Sequence, residues 1–270
     1  MPSLGYWHVG TSDHALQRFY KDNGYLHIHT LATKEALDSA WQAKGPRQPA
    51  GYHYNKGERI FEGWMTSQAV RDIAYDENIL KALRILFGSE PRPFQTINFT
   101  YPSNQPLHQD GIHFQTRPLG KMVGVWVALE PVSEVNGTLC YVPKSHTLGY
   151  LGWQELGFHQ VPVGTQFGQY REYEKKMEAL GEKMGGKGPF NADAGDAFIW
   201  GLELLHGGWK PEDVDATRKS LVIHYFLEDA KEGWAPMFSN PHTGDYFKKT
   251  MRWFCRFGAR HGMGETCAHS

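Results

Sequence analysis

From Pro93 onward the sequence changes texture. Short runs rich in β-branched and aromatic residues follow one another, each bounded by Pro or Gly. They occupy residues 94–101, 122–129, 138–142, 197–200 and 220–227. Such residues suit a half-buried pleated surface, and the breakers end each run before it can lengthen. Many short strands with this punctuation predict a sandwich or jelly roll. Residues 170–180 read as one helix inserted among the strands, and 181–189 (GEKMGGKGP) as a flexible loop.

The first third reads differently. Ser12 or Asp13 can cap a helix running to Asn23, with Gly24 as its stop. Residues 25–30 alternate like a short strand. Thr33 opens a second helix through Ala36, Leu37, Ala40 and Trp41, closed by Gly45-Pro46. Residues 67–87 carry a broken helical stripe of Val70, Ile73, Leu80, Leu83 and Leu86 that stops at Gly88. The expected architecture is therefore mainly β with helical cover, as one domain over 1–270. A helical layer (11–90) packs on a β core (93–228) with the inserted helix, and 229–270 adds a C-terminal cover. A chain of this length can bury a sizeable core.

Composition excludes several classes. Net charge is −1, and the basic group Arg171, Lys175 and Lys176 is balanced by Glu172, Glu174 and Glu178. Nucleic acid is not expected as a partner, because phosphate binding needs a clustered positive surface. The three cysteines, Cys140, Cys255 and Cys267, have no CxxC spacing. That argues against a disulfide scaffold or a cysteine zinc site and fits a reducing compartment. No apolar run reaches the length of a membrane span, and no leader or targeting tripeptide is legible. The expected location is the cytosol.

The chemistry concentrates in three places. In His108-Gln109-Asp110, residues i and i+2 of an extended segment point to one face, so an imidazole and a carboxylate can reach one metal. In a chain with 14 histidines this triplet alone decides little. His206 follows in Leu204-Leu205-His206-Gly207-Gly208, just after the run 197–200, and Arg218 stands twelve residues further on. Two His and one carboxylate form a facial triad that leaves three positions of octahedral iron(II) open. Two can take the 2-oxo acid chelate of 2-oxoglutarate, and one can take dioxygen. The Arg218 guanidinium can bind the far carboxylate of 2-oxoglutarate through two parallel hydrogen bonds, and the Ser220 hydroxyl can add a third.

These residues stand among further motifs: Pro106-Leu107-His108-Gln109-Asp110, Arg117-Pro118, Val125-Trp126-Val127-Ala128-Leu129-Glu130, Asn136-Gly137-Thr138-Leu139, Val142-Pro143-Lys144-Ser145-His146 and Gly195-Asp196. In this order, over residues 93–228, the chain resembles the phytanoyl-CoA dioxygenase family of iron(II)/2-oxoglutarate oxygenases. The resemblance implies a double-stranded β-helix, cupin-like, with Fe(2+) at its open end held by His108, Asp110 and His206. It implies that Trp126 lies near 2-oxoglutarate and that a side chain of the strand 94–101 helps to hold it. Gln95 is the candidate, on one face with Ile97, Phe99 and Tyr101; the opposite parity, with Thr96 and Asn98, stays open. Where the family's namesake has Ser two residues past the distal His, this chain has Gly208. Relatives that halogenate replace the carboxylate by Gly or Ala, so Asp110 implies hydroxylation.

Each residue also has a plain reading. His113 suits a substrate wall or a structural edge equally. His146 reads as part of a structural turn, and Asn136-Gly137 as a tight turn. Asp196 opens a strand, and His224, amid Val222, Tyr225 and Phe226, reads as core. The expected activity is hydroxylation of a small molecule with release of succinate and carbon dioxide. Desaturation, cyclisation and demethylation stay open, as do a non-catalytic jelly-roll binding protein and a 2-oxoglutarate-independent cupin. The aromatic stretches 52–54, 61–64 and 234–238 suit a pocket lining or cover packing.

Overall fold

The structure is a computed structural model that describes residues 11–45, 47–48, 59–158, 166–234 and 248–249. In chain order its elements begin with α1 (Asp13–Asn23), β1 (Tyr25–His29), α2 (Lys34–Trp41), β2 (Arg47–Gln48) and β3 (Arg59–Phe61). Then come α3 (Gln68–Ala74), α4 (Glu77–Phe87), β4 (Pro91–Phe99), β5 (Gln115–Arg117), β6 (Met122–Ala128) and β7 (Leu139–Tyr141). The remainder is α5 (Gln166–Lys183), β8 (Gly188–Phe190), β9 (Asp196–Gly201), β10 (His206–Gly208), β11 (Ser220–Leu227), β12 (Glu232–Trp234) and β13 (Lys248–Lys249).

The helices begin where a short polar side chain can accept an orphan backbone N–H. Ser12, Thr33 and Ser67 accept from Ala15, Ala36 and Val70. Asp76 accepts from Asn78 and Ile79. That last cap explains the broken stripe of 67–87: α3 stops, and Asp76 opens α4. Gly24 and Gly88 end α1 and α4 in the left-handed conformation that glycine adopts without a Cβ penalty.

The larger sheet is antiparallel in the order β1-β9-β6-β11-β4-β3-β2. Its two faces follow the strand alternation. Val123, Val125 and Val127 of β6, Ala197 and Ile199 of β9 and Leu221, Ile223 and Tyr225 of β11 pack against α1 to α4. Trp126, Ala128, Phe198, Trp200 and Val222 face the other way, toward Leu139 of β7 and Phe190 of β8. These strands belong to a second sheet, β10-β7-β8, while β13-β12-β5 form a third. Both faces of β6 are buried, which is why it reads as an unbroken apolar run. This is the expected cupin-like jelly roll under a helical layer.

Three boundaries differ from expectation. The segment 25–30 does not belong to the helical layer: β1 pairs with β9 at the edge of the larger sheet, from Tyr25↔Trp200 to His29↔Asp196. The inserted helix is longer than 170–180 and runs through Gly181 to Lys183. The loop expected over 181–189 therefore shrinks, and Gly188–Phe190 pairs with β7. Tyr170, Tyr173 and Met177 bury one face of α5 beside Leu107 and Leu205, which outweighs the helix-weakening Gly181. Among the described residues, no helix is long and apolar enough to cross a membrane. Of the C-terminal cover expected over 229–270, residues 235–247 and 250–270 lie outside the described residues.

Candidate active site

Two backbone hydrogen bonds assemble the site. His108 N donates to His206 O at 2.9 Å, and His206 N donates to His108 O at 3.1 Å. This isolated antiparallel bridge sets the two side chains on one face, with ring centroids 4.4 Å apart. Asp110, two residues past His108, turns to the same side and opens a short 3-10 turn, Asp110–Ile112. Gln109 between them points away, donating to Gly149 O and Glu203 O at 2.9 and 2.7 Å.

The tautomers follow from the second ring nitrogens. His108 Nδ1 donates to Pro106 O at 2.9 Å, and His206 Nδ1 to Leu204 O at 3.0 Å. Both Nε2 lone pairs are left facing Asp110 Oδ1, at 3.8 Å from His108 and 3.7 Å from His206. Burial pushes both imidazoles below their ordinary value, His108 furthest because His206 adds to it. Burial alone would raise the Asp110 carboxyl, but His206, His224 and His108 outweigh it and hold it well below the usual carboxylate range. Neutral imidazoles and an ionised carboxylate are the protonation states a metal ligand needs. His108, Asp110 and His206 are the one such cluster among the described residues, with ligand atoms within 4.8 Å of one another. The donor set fits iron(II).

Arg218 lies in the same interior, 3% exposed. Its guanidinium carbon sits 5.3 Å from the Phe99 ring and 5.7 Å from that of Trp126. Nη1 donates to Ser220 Oγ at 2.8 Å, while Nε is buried with no acceptor. Burial, then the charge of Arg59, pulls Arg218 down to about 10. The indole Nε1 of Trp126 is likewise buried without an acceptor. Buried unused donors cost free energy until an acceptor arrives, and a carboxylate of 2-oxoglutarate suits a guanidinium so framed.

The parity of β4 is resolved. Gln95, Ile97 and Phe99 sit opposite His224, Val222 and Ser220 on the interior side. Thr96 and Asn98 face the helical layer, where Thr96 Oγ1 accepts from Trp64 N and Asn98 Nδ2 donates to Ala40 O. The Gln95 amide oxygen meets His224 Nδ1 at 3.1 Å, so its partner is a side chain of the protein. His224 is the residue that sequence reasoning missed. Its Nε2 lies 3.5 Å from Asp110 Oδ2, beside Trp200, whose Nε1 donates to the same oxygen at 2.9 Å. Counting by twos from Ser220 along β11 places His224 on the interior face.

A second set borders His108. Gln105 Nε2 is 3.3 Å from His108 Nε2 and 3.4 Å from Tyr170 Oη, and its Oε1 accepts from Arg59 at 2.8 Å. Tyr170 Oη also meets His113 Nε2 at 3.0 Å, so His113 belongs to this wall. Elsewhere the structural readings stand. His146 Nε2 meets Lys21 O at the end of α1. Asp196 is held by His29 and His27 at 2.7 and 3.4 Å. Trp64 joins the helix-side core. Of the other aromatic stretches, 52–54 and 235–238 lie outside the described residues. Gly208 also has a steric reason, since a Cβ there would sit 2.8 Å from Asn104 N.

The phytanoyl-CoA dioxygenase (PhyH) family model matches residues 20–210. A zebrafish phytanoyl-CoA dioxygenase domain-containing protein 1 is 29% identical over 134 residues, 48% of this chain and 41% of that protein. The rat peroxisomal phytanoyl-CoA dioxygenase is 25% identical over 247 residues, 80% of this chain and 68% of that protein. The chain thus spans well under half of the first relative and about two thirds of the second. Among solved structures, the non-haem α-ketoglutarate-dependent carbocyclase SnoK from nogalamycin biosynthesis superposes with a TM-score of 0.63 at 19% identity. That match covers 82% of this chain and 86% of SnoK, and it supports the jelly-roll fold. The chain belongs to the phytanoyl-CoA dioxygenase (PhyH) family.

Proposed function

We propose that this protein hydroxylates a small molecule using iron(II), 2-oxoglutarate and dioxygen. The observation that carries the reading is one interior holding two complementary halves. His108, Asp110 and His206 offer a neutral-imidazole and carboxylate set suited to the metal. Arg218, buried over Phe99 and Trp126, offers a cation with an unused donor. A jelly-roll metalloprotein with no 2-oxo acid has no need of the second half, and a purely structural histidine pair has no need of the first.

With these groups bound, dioxygen would oxidise 2-oxoglutarate to succinate and carbon dioxide while a substrate C–H bond is oxidised. The protein's residues do the rest. His108 and His206 present Nε2 because backbone carbonyls hold their Nδ1 protons. Arg218, Ser220 and the Trp126 indole N–H orient the far carboxylate of 2-oxoglutarate, and the burial of Trp126 and Arg218 excludes water. Gln105, Arg59, Tyr170 and His113 form the wall that a substrate would meet beside His108. The same site supports desaturation, cyclisation or demethylation when the substrate geometry favours them.

The test is a screen for succinate release over candidate small molecules with the iron-loaded protein. Release that requires a particular compound, together with a product 16 mass units heavier (one oxygen gained, about the increment of a hydroxylation), supports the reading. A product lighter by two hydrogens points to desaturation or ring closure.

A further inference from the structure

Four residues stand in register across the interior face of the larger sheet. Gln95 of β4 pairs with His224 of β11, His224 with Gly124 of β6, and Gly124 with Trp200 of β9. The glycine matters to the others. A Cβ at Gly124 would lie 2.5 Å from Cε2 and Cζ2 of Trp200, so its absence lets the indole lie over β6. From there Trp200 Nε1 reaches Asp110 Oδ2 at 2.9 Å. His224 Nε2 lies 3.5 Å from that oxygen, and the Gln95 amide at 3.1 Å holds the other side of the His224 ring.

The two oxygens of Asp110 therefore have different company. Oδ1 faces Nε2 of His108 and His206, and Oδ2 faces Trp200 and His224. A carboxylate whose outer oxygen is free can chelate a cation with both oxygens. With two imidazoles, that fills four of six positions, leaving room for a bidentate 2-oxo acid and nothing else. A carboxylate limited to one oxygen leaves three positions. We infer that the Gln95–His224–Gly124–Trp200 row restricts Asp110 to offering one oxygen, and thereby keeps open the position beside bound 2-oxoglutarate. These are positioning residues. The inference rests on the metal and 2-oxoglutarate reading above and deepens it.

The test uses the purified 270-residue chain without oxygen. Cobalt(II) and then 2-oxoglutarate are bound and followed by visible absorption, and azide, a small monodentate ligand, is titrated through its effect on the same bands. Trp200→Phe removes the indole donor from Oδ2, and the double variant Trp200→Phe/His224→Leu also removes the imidazole packed beside it. Gly124→Ala displaces the indole without removing any donor. Near-ultraviolet circular dichroism confirms that each variant is folded. Cobalt(II) affinity is expected to stay within about threefold of wild type, because all three ligands remain. The affinity for 2-oxoglutarate should likewise stay close to wild type, while the dissociation constant for azide is expected to rise about tenfold or more in the double variant, an equilibrium change of about 1.4 kcal/mol. Gly124→Ala should show the same direction, because it moves the indole off Oδ2 while leaving every ligand in place. Folded variants whose cobalt(II)–2-oxoglutarate complex binds azide as tightly as wild type would overturn the inference while leaving the metal reading intact. Failure of the wild type to bind cobalt(II) would overturn both.

Discussion

Arg218, two residues before the start of β11, donates to the hydroxyl of Ser220 at 2.8 Å inside the protein. Both side chains are buried, and the guanidinium is flanked by Phe99 and Trp126. An arginine so placed is already framed for a carboxylate, since Ser220 and the two rings limit its rotation before any ligand binds. Replacing Arg218 by Ala should raise the 2-oxoglutarate requirement by about a hundredfold, the scale of a lost charge-assisted pair. Ser220→Ala should cost less, about three- to tenfold, as a neutral hydrogen bond does. Steady-state titration of 2-oxoglutarate measures both, and equal effects would contradict this division of roles.

Removing Asp110 tests the metal half. Asp110→Ala leaves two imidazoles and removes the one charged ligand, so iron(II) affinity should fall about ten- to a hundredfold or more and turnover should disappear. Chelator competition and succinate assays measure the two effects. A fully active Asp110→Ala would sink the ligand assignment.

The buried imidazoles give the metal-free protein a pH dependence of defined sign. His108 and His206 titrate below the ordinary value of 6.5 when folded and near it when unfolded. As pH falls below that value the unfolded state binds more protons, so stability drops, by at most about 1.4 kcal/mol per pH unit for each imidazole. Asp110, held low in the fold, loses its own contribution only as pH falls further, below its unfolded value of 3.8. Urea unfolding of the metal-stripped protein between pH 7 and pH 5 should show this decline. His108→Asn should flatten it.

Gly24 ends α1 at φ 84°, and a Cβ there would run into the His146 ring that meets Lys21 O. Gly24→Ala should therefore destabilise the fold by about 1–3 kcal/mol, the cost of left-handed backbone and overpacking together. Thermal unfolding checks it. Catalytic constants in the folded fraction should be unchanged.

Local chemistry made much of this legible from the sequence. The caps Ser12, Thr33 and Ser67 and the stops Gly24 and Gly88 lie where their side chains or φ angles demand. The span of β11 matches its apolar run. The ligand set was legible because i, i+2 spacing is a property of extended chain. What escaped depended on long-range pairing. The strand containing His206 is three residues long and exists because it pairs with β7 and bridges to His108. Burial on α5 decides the helical state of Gly181, as its partners Leu107 and Val142 lie far off in sequence. His224 looked like core because its neighbours in sequence are apolar. Its partners Gln95 and Asp110 are on other segments.

The central claim is that His108, Asp110, His206 and Arg218 form one site for iron(II) and 2-oxoglutarate. It is tested most directly by adding 2-oxoglutarate to the purified, iron(II)-loaded protein without oxygen and recording the visible spectrum. A weak metal-to-ligand charge-transfer band should appear and saturate with one equivalent of iron. It should be lost in Asp110→Ala and should need more 2-oxoglutarate in Arg218→Ala. A wild-type protein that binds iron(II) yet gives no such band would contradict the account.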